Sequence, residues 1–337
     1  MCARKKDPTT YPPMIFNVYK PKGMTSFEVV GHFKRHLPKG FGKIGHFGTL
    51  DPFAEGVLLI GVGGASRLAQ TLNDSLPKVY EATGLVGVKT DSGDHTGKVV
   101  ANDSSLESKD FLKLSDMELD SIFSGHFVGD YLQSPQAFSA AKHEGKPLYE
   151  YARQGVMIEK EAVARHIYKI EVQHFELPYL KFVCEVSSGT YIRVLFEDMM
   201  ALFETYGSLQ GLKRVAIGHH HERDSLQMND WPQQGLHANG SVYDLDKFAT
   251  PMTQALPLRS VTLGQSDVGR YLSGLFPTDD QVAWSHVSGL SDRARELAWV
   301  YGEQEEGEPQ LIGLAQWSPA MSAPAKVLFN LPQGNVN

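Results

Sequence analysis

Apolar residues in this chain fall into short blocks whose period changes along its length. Residues 15–19 and 57–62 are nearly unbroken apolar runs of strand length. Residues 79–88, 167–175, 182–186 and 212–217 are rich in Val, Ile, Phe and Tyr and predict further strands. Helical spacing takes over behind Thr25-Ser26-Phe27-Glu28, where Phe27, Val30 and Leu37 share one face and Thr25 and Glu28 have the capping-box separation. Helices are also predicted over residues 65–73, over 116–123 with Ser115 as its cap, and over 191–203. Residues 40–52 read as one glycine-punctuated loop and residues 90–94 as a tight turn.

Residues 131–160 alternate Pro, Gly, aromatic and basic positions with little period, as an extended insertion would. From about Pro251 onward the pattern changes to short strands broken by Gly and Pro. That change divides the chain into a large unit at 12–250, carrying the insertion at about 131–160, and a small β-rich unit at 251–337. Strands and helices mix without a regular strand–helix–strand alternation. This predicts an α+β fold with a mainly antiparallel mixed sheet.

Composition narrows the class. Hydrophobic residues make up 42% and charged residues 21% of the 337, a globular balance rather than a disordered one. The apolar run at 57–62 is far too short to span a bilayer, so no membrane association is expected. Arg4, Lys5 and Lys6 give a basic start, but no apolar stretch follows and no secretory signal is expected. Cys2 and Cys184 are the only cysteines, too few for a disulfide framework or a metal cage, which fits a reducing cytoplasm.

The net charge of −7 at first argues against a nucleic-acid partner. Its distribution argues otherwise. Residues 1–50 carry nine Lys or Arg against Asp7 and Glu28, a local +7, so the remainder carries −14. A basic leading segment on an acidic chain suits a polyanion docking at one face. Residues 251–337 hold five basic residues against nine acidic ones, crowded into 279–308, so that stretch is expected to face away from such a partner and to be dispensable for chemistry.

Two segments imitate other sites. Gly61-Val62-Gly63-Gly64-Ala65-Ser66 has Ser where a dinucleotide fingerprint needs its third glycine. His219-His220-His221 looks metal-binding, but neighbours on a strand point to opposite faces, so no metal is expected there.

The most informative segment is Gly45-His46-Phe47-Gly48-Thr49-Leu50-Asp51-Pro52-Phe53-Ala54-Glu55-Gly56. Its glycines let the backbone approach a ligand closely, and Pro52 biases Asp51 toward extended conformations. By itself, a carboxylate displayed this way could be a nucleophile, a general base or a loop cap. Four more motifs follow the same theme in order between about residues 12 and 220: Lys20-Pro21-Lys22-Gly23-Met24-Thr25-Ser26, Lys78-Val79-Tyr80, Ser188-Gly189-Thr190-Tyr191-Ile192-Arg193, and Leu212-Lys213-Arg214 with Gly218. Together they resemble the signature of the TruB-type pseudouridine synthases.

The resemblance implies isomerisation of a uridine in the T-loop of tRNA, at position 55. That reaction breaks a C1′–N1 bond and forms a C1′–C5 bond, with no redox step and no external group, so no cofactor is expected. It assigns Asp51 as the catalytic carboxylate, acting either covalently or by stabilising cationic character at the sugar. A carboxylate in this role must be ionised, which a neighbouring guanidinium favours, and Arg193 matches that partner. Tyr80 matches the active-site tyrosine, whose ring can sandwich an extruded base and whose phenol can help move the C5 proton. His46 matches a histidine at the flipped region of the RNA. The insertion resembles an RNA-gripping thumb offering Lys142, Lys146 and Arg153 to phosphates. Lys20 and Pro21 read as architecture.

Gln136 stands where relatives show a second proline, and Phe47 where Thr or Gly is usual, which touches thumb stiffness and loop packing rather than chemistry. Residues 251–337 resemble a PUA-like domain only by position and texture. The implied partner is tRNA alone, through its T-arm, with the protein a cytoplasmic monomer needing no protein partner. The rivals are a guide-RNA-dependent synthase of the dyskerin type, against which the thumb insertion argues, and a non-catalytic tRNA-folding protein, against which the set Asp51, Tyr80 and Arg193 argues.

Overall fold

The computed structural model describes residues 14–37, 42–134, 136, 142–152, 154–156, 158, 160–229, 248–275, 283–284, 297–316 and 326–331. The chain opens with strand β1 (Met14–Lys20) and helix α1 (Ser26–His36), whose first turn carries the expected capping box: Thr25 accepts from the Glu28 amide while Glu28 reaches back to the Thr25 amide. Strands β2 (Ile44–Phe47) and β3 (Glu55–Val62) follow. A 3₁₀ turn (Gly63–Leu68) leads into α2 (Ala69–Ser75), so the helix predicted over 65–73 begins late. Next come β4 (Lys78–Val86), the β5 (Val88–Thr90) and β6 (Val99–Asn102) ribbon, and α3 (Asp116–Phe127) behind its Ser115 cap.

Strand β7 (Gly129–Gln133) runs into the insertion, which holds the hairpin β8 (Lys142–His143) and β9 (Lys146–Pro147) and the short helix α4 (Leu148–Ala152). Strands β10 (Val163–Glu176) and β11 (Tyr179–Val186), helix α5 (Ile192–Ala201), and strands β12 (Gly207–Ile217) and β13 (His220–His221) complete the run. After β14 (Ala249–Thr250) come β15 (Arg259–Leu263), β16 (Ala283–Trp284), β17 (Leu297–Gly302), β18 (Gln310–Gln316) and β19 (Lys326–Asn330).

Ten of these strands form one sheet ordered β14-β1-β3-β12-β4-β11-β10-β7, with β2 on β3 and β13 on β12. Every join described in it is antiparallel except β3–β12, as the α+β expectation requires. A second sheet of five strands is ordered β16-β15-β17-β18-β19. Strand β2 lies inside the segment expected to be a single loop. It forms because Phe47, 2% exposed, joins Ile15, Leu59 and Leu68 in the core, which needs extended backbone beside β3.

Helices α3 and α5 cover one face of the sheet, packing Phe123, Phe127, Leu195, Phe196 and Met199 against Ile167, Phe182 and Leu209. Helix α5 sits very close to it. A Cβ added to Gly84 on β4 would lie 2.0 Å from Cζ of Phe196, so glycine there is what lets the helix descend. Helix α1 buries Val29, Val30 and Phe33 against Phe16, Leu58 and Ile60. The third apolar cluster belongs to both sheets. Ile15, Val57 and Leu72 pack in it together with Met252, Leu256, Leu297, Trp299 and Leu314.

Candidate active site

The turn after β1 is built as a cradle for the loop that carries Asp51. The Gly23 amide donates to the Pro52 carbonyl at 2.8 Å. The Ser26 hydroxyl accepts from the Leu50 amide at 2.9 Å and donates to the Leu50 carbonyl at 3.1 Å. Lys20, with no exposed surface, donates to the carbonyls of Met24 (2.6 Å), Ala54 (2.7 Å) and Pro21 (2.9 Å). Burial, and after it the charge of Arg214, lowers the Lys20 ammonium to about 8. Carbonyl oxygens rather than a carboxylate meet this buried cation.

Arg214 grips the same loop from the sheet side. On β12 it stands opposite Tyr80 of β4 and opposite Gly56 of β3. Its Nε donates to the Val57 carbonyl (2.7 Å), Nη2 to Gly48 (3.1 Å) and Nη1 to Thr49 (3.4 Å), and the side chain is fully buried. Gly56 has φ +111°, and a Cβ there would stand 2.2 Å from the Arg214 carbonyl oxygen, so only glycine lets the two strands meet at this point. Nη1 of Arg214 also reaches the Tyr80 hydroxyl at 3.5 Å. Burial raises the Tyr80 phenol, with Arg214 opposing, so the ring keeps its proton at neutral pH and is available as a donor.

Helix α5 delivers the guanidinium. Arg193 is 3% exposed, and its Nε lies 3.0 Å from Oδ2 of Asp51, whose side chain is about one-third open to solvent. Its Nη1 lies 3.5 Å from Oδ2 of Asp94 and donates to the Ser92 carbonyl. Asp94 is buried, and its other oxygen accepts from the Thr96 amide at 2.9 Å and from the Thr96 hydroxyl, so it is a fixed post. The start of α5 is pinned from the sheet edge. Gln133, 2% exposed on β7, accepts from the Tyr191 amide (2.7 Å) and donates to the Tyr191 carbonyl (3.0 Å). Tyr131, two residues back on β7, donates its hydroxyl to Asp198, five residues beyond Arg193 on the same helix.

The structure therefore brings Asp51, Tyr80 and Arg193 together around one loop. His46 sits on β2 opposite Ile60, with a buried Nδ1 that has no hydrogen-bond partner among the described residues. Burial, then Arg214, lowers its pKa, so the ring is neutral at pH 7. Lys146 is exposed on the β8–β9 hairpin and Lys142 lies across that hairpin on β8, whereas Arg153 lies outside the described residues. Among the described residues no group of three or more His, Cys, Asp or Glu side chains is placed to hold a metal ion, and no helix is long and apolar enough to cross a membrane.

Sequence reasoning missed Asp94 and Gln133 as partners of the site. Asp94 was visible only as the end of a turn, and Gln133 only as part of an aperiodic insertion. Arg214 was visible as part of the Leu212-Lys213-Arg214 motif, but nothing in the sequence showed that it grips the Asp51 loop.

Comparison with known proteins identifies the architecture. Over 94% of this chain and 83% of the other, the fold superposes on a chain of a Cbf5–Nop10–Gar1 complex with a TM-score of 0.65 and 21% identity. Residues 34–192 match the N-terminal domain of the TruB family pseudouridylate synthases. tRNA pseudouridine synthase B of Actinobacillus pleuropneumoniae serotype 5b (strain L20) is 34% identical over 272 residues, 80% of this chain and 85% of that protein. The enzyme of the same name from Clostridium novyi (strain NT) is 39% identical over 215 residues, 64% of this chain and 71% of its own. The class is that of the pseudouridylate synthases. Within it, the chain belongs to the TruB family.

Proposed function

We propose that the protein isomerises uridine to pseudouridine in tRNA, at position 55 of the T-loop, as a cytoplasmic monomer that needs no guide RNA. The observation that carries this reading is the ion pair between Asp51 and Arg193 at 3.0 Å, held in a family whose curated relatives are named for tRNA. Asp51 is exposed enough to meet an extruded nucleotide and is oriented by a guanidinium that is itself immobilised. In this reading Asp51 acts on the target nucleotide, either by adding to it or by stabilising positive character at the sugar. Tyr80 packs against the flipped base and donates from its phenol. Arg193 holds the carboxylate, and His46 borders the space vacated by the nucleotide. Lys142, Lys146 and Arg153 contact phosphates from the thumb. Residues 12–250 carry this chemistry, and 251–337 form the appended PUA-like unit.

The test is to incubate the protein alone with an unmodified T-arm stem-loop and map pseudouridine chemically. Conversion by the wild type, and none by Asp51→Asn with RNA binding kept within a few-fold, is the expected result. Conversion only after a guide RNA is added overturns the stand-alone reading, and turnover by Asp51→Asn overturns the assignment of Asp51.

A further inference from the structure

The charged residues exposed along β10 mostly have partners: His166 meets Asp130 and Lys169 meets Glu171. Arg165 is different. It is half-buried, and no ion pair or hydrogen bond engages its guanidinium among the described residues. Its position explains where it points. Arg165 stands opposite Tyr131 on β7, and directly opposed residues share a face of the sheet. Tyr131 turns toward α5 to meet Asp198, so Arg165 lies on the α5 side too. There its guanidinium rests on Gly189. A Cβ at that glycine would stand 3.0 Å from Cζ, 3.0 Å from Nη2 and 3.2 Å from Nη1 of Arg165. Three nearly equal distances mean that the plane lies flat on the loop, which leaves its N–H edge without a partner among the described residues.

Gly189 is itself exposed, with φ +79°, and the amides of Ser188 and Gly189 have no acceptor among the described residues. The same loop runs through Thr190 and Tyr191 into α5, where Arg193 meets Asp51. A planar guanidinium fork beside open backbone amides is matched to a tetrahedral oxyanion rather than to a neutral group.

We propose that Arg165, with the Ser188 and Gly189 amides, receives one phosphodiester of the RNA backbone at the edge of the active site. The inference rests on the RNA-isomerising function proposed above and adds to it a contact outside the thumb. The stacked guanidinium grips the strand next to the extruded nucleotide and sets how deeply it approaches Asp51.

The experiment measures T-arm stem-loop affinity against salt concentration, with kcat and KM, for wild type, Arg165→Ala, Arg165→Gln and Arg165→Lys, each checked by thermal melting. Loss of one phosphate contact should lower the slope of log K against log salt by about one unit and weaken binding roughly three- to tenfold for Ala and Gln. The loss should fall mainly on KM. Lys should keep the slope while losing part of the affinity, because it retains charge without the fork. Unchanged affinity and slope in folded Ala and Gln variants overturns the proposal. So does a loss confined to kcat, which would mean that Arg165 acts through the loop on Arg193. A wild type that neither binds nor converts the stem-loop removes the proposed function itself. A wild type that does both, alongside variants indistinguishable from it, removes only this contact.

Discussion

Arg193 reaches buried Asp94 through Nη1 at 3.5 Å while its Nε stays 3.0 Å from Asp51, so one guanidinium is shared between a fixed, buried carboxylate and a more exposed one. The fixed partner sets the angle at which the other is held. Two like charges converging on one cation also oblige the loop at 48–54 and the turn at 90–94 to close on α5 together.

Asp94→Asn preserves shape but removes the charge that anchors Arg193. Turnover should fall by up to about 100-fold through misplacement of Asp51, with RNA affinity nearly unchanged. Single-turnover kinetics with a binding assay checks this, and a near-normal rate would mean that the Ser92 carbonyl alone suffices to place Arg193.

Gln133 matches both backbone groups of Tyr191, much as a neighbouring strand would. Gln133→Leu leaves the Tyr191 amide without its acceptor, while the Tyr191 carbonyl keeps the Leu195 amide at 3.1 Å; an amide stranded in this way costs about 1–3 kcal/mol where it is buried. The catalytic effect should run through Arg193: in an Arg193→Lys background the further loss of kcat from Gln133→Leu should shrink. Full additivity in that double-mutant cycle would show that Gln133 serves stability alone.

Glu197 gives a pH signature. Burial raises its pKa above the ordinary 4.5, against the opposing charges of Lys89 and Arg193. The folded state therefore holds this proton at pH values where the unfolded chain has lost it. Its contribution to stability declines as pH rises from the unfolded value through the folded one, and stays reduced above. Glu197→Gln cannot ionise, so its melting temperature should exceed that of wild type at pH 8 and match it near pH 4. An equal difference at both pH values would sink the assignment.

Net charge alone made residues 251–337 look dispensable. The shared core argues the other way. A chain ending at Ala249 strips Met252, Ala255, Leu256, Leu258, Leu297, Trp299 and Leu314 from the cluster that also holds Ile15, Val57 and Leu59. Each of the larger side chains among them is worth roughly 1.5–3 kcal/mol when fully buried, so the loss rivals the roughly 5–15 kcal/mol that holds an ordinary domain folded. The truncated protein should melt far lower or fail to accumulate in soluble form. A wild-type melt for that chain would show the shared cluster to be incidental.

The readable parts of this site were those encoded within a few consecutive residues. The Thr25–Glu28 cap, the strand at 57–62 and the trio Asp51, Tyr80 and Arg193 each sit in a local pattern or motif. Asp94 and Gln133 do not. They matter because the sheet brings residue 94 to residue 193 and residue 133 to residue 191, and register across strands leaves no periodic trace in the chain. Strand β2 was hidden for a different reason: Gly45 and Gly48 mask a core anchor, Phe47, whose partners Ile15 and Leu68 lie on either side of it at a distance. The second sheet was legible as strand texture, but its fusion to the first was not, since composition does not reveal which apolar side chains share a cluster.

The two grips on the Asp51 loop differ greatly in how much chain they enclose. Ser26 meets Leu50 across 24 residues and Lys20 meets Ala54 across 34, whereas Arg214 meets Gly48 across 166. Contacts that close so long a stretch form late in folding. On a ribosome making roughly 5–20 residues per second, Arg214 follows Gly48 by roughly 10–30 s. The loop is thus cradled early and clamped only when β12 arrives between β3 and β4. A nascent chain carries Asp51 for many seconds before its loop is held from both sides, and the complete clamp becomes a property of the nearly finished protein.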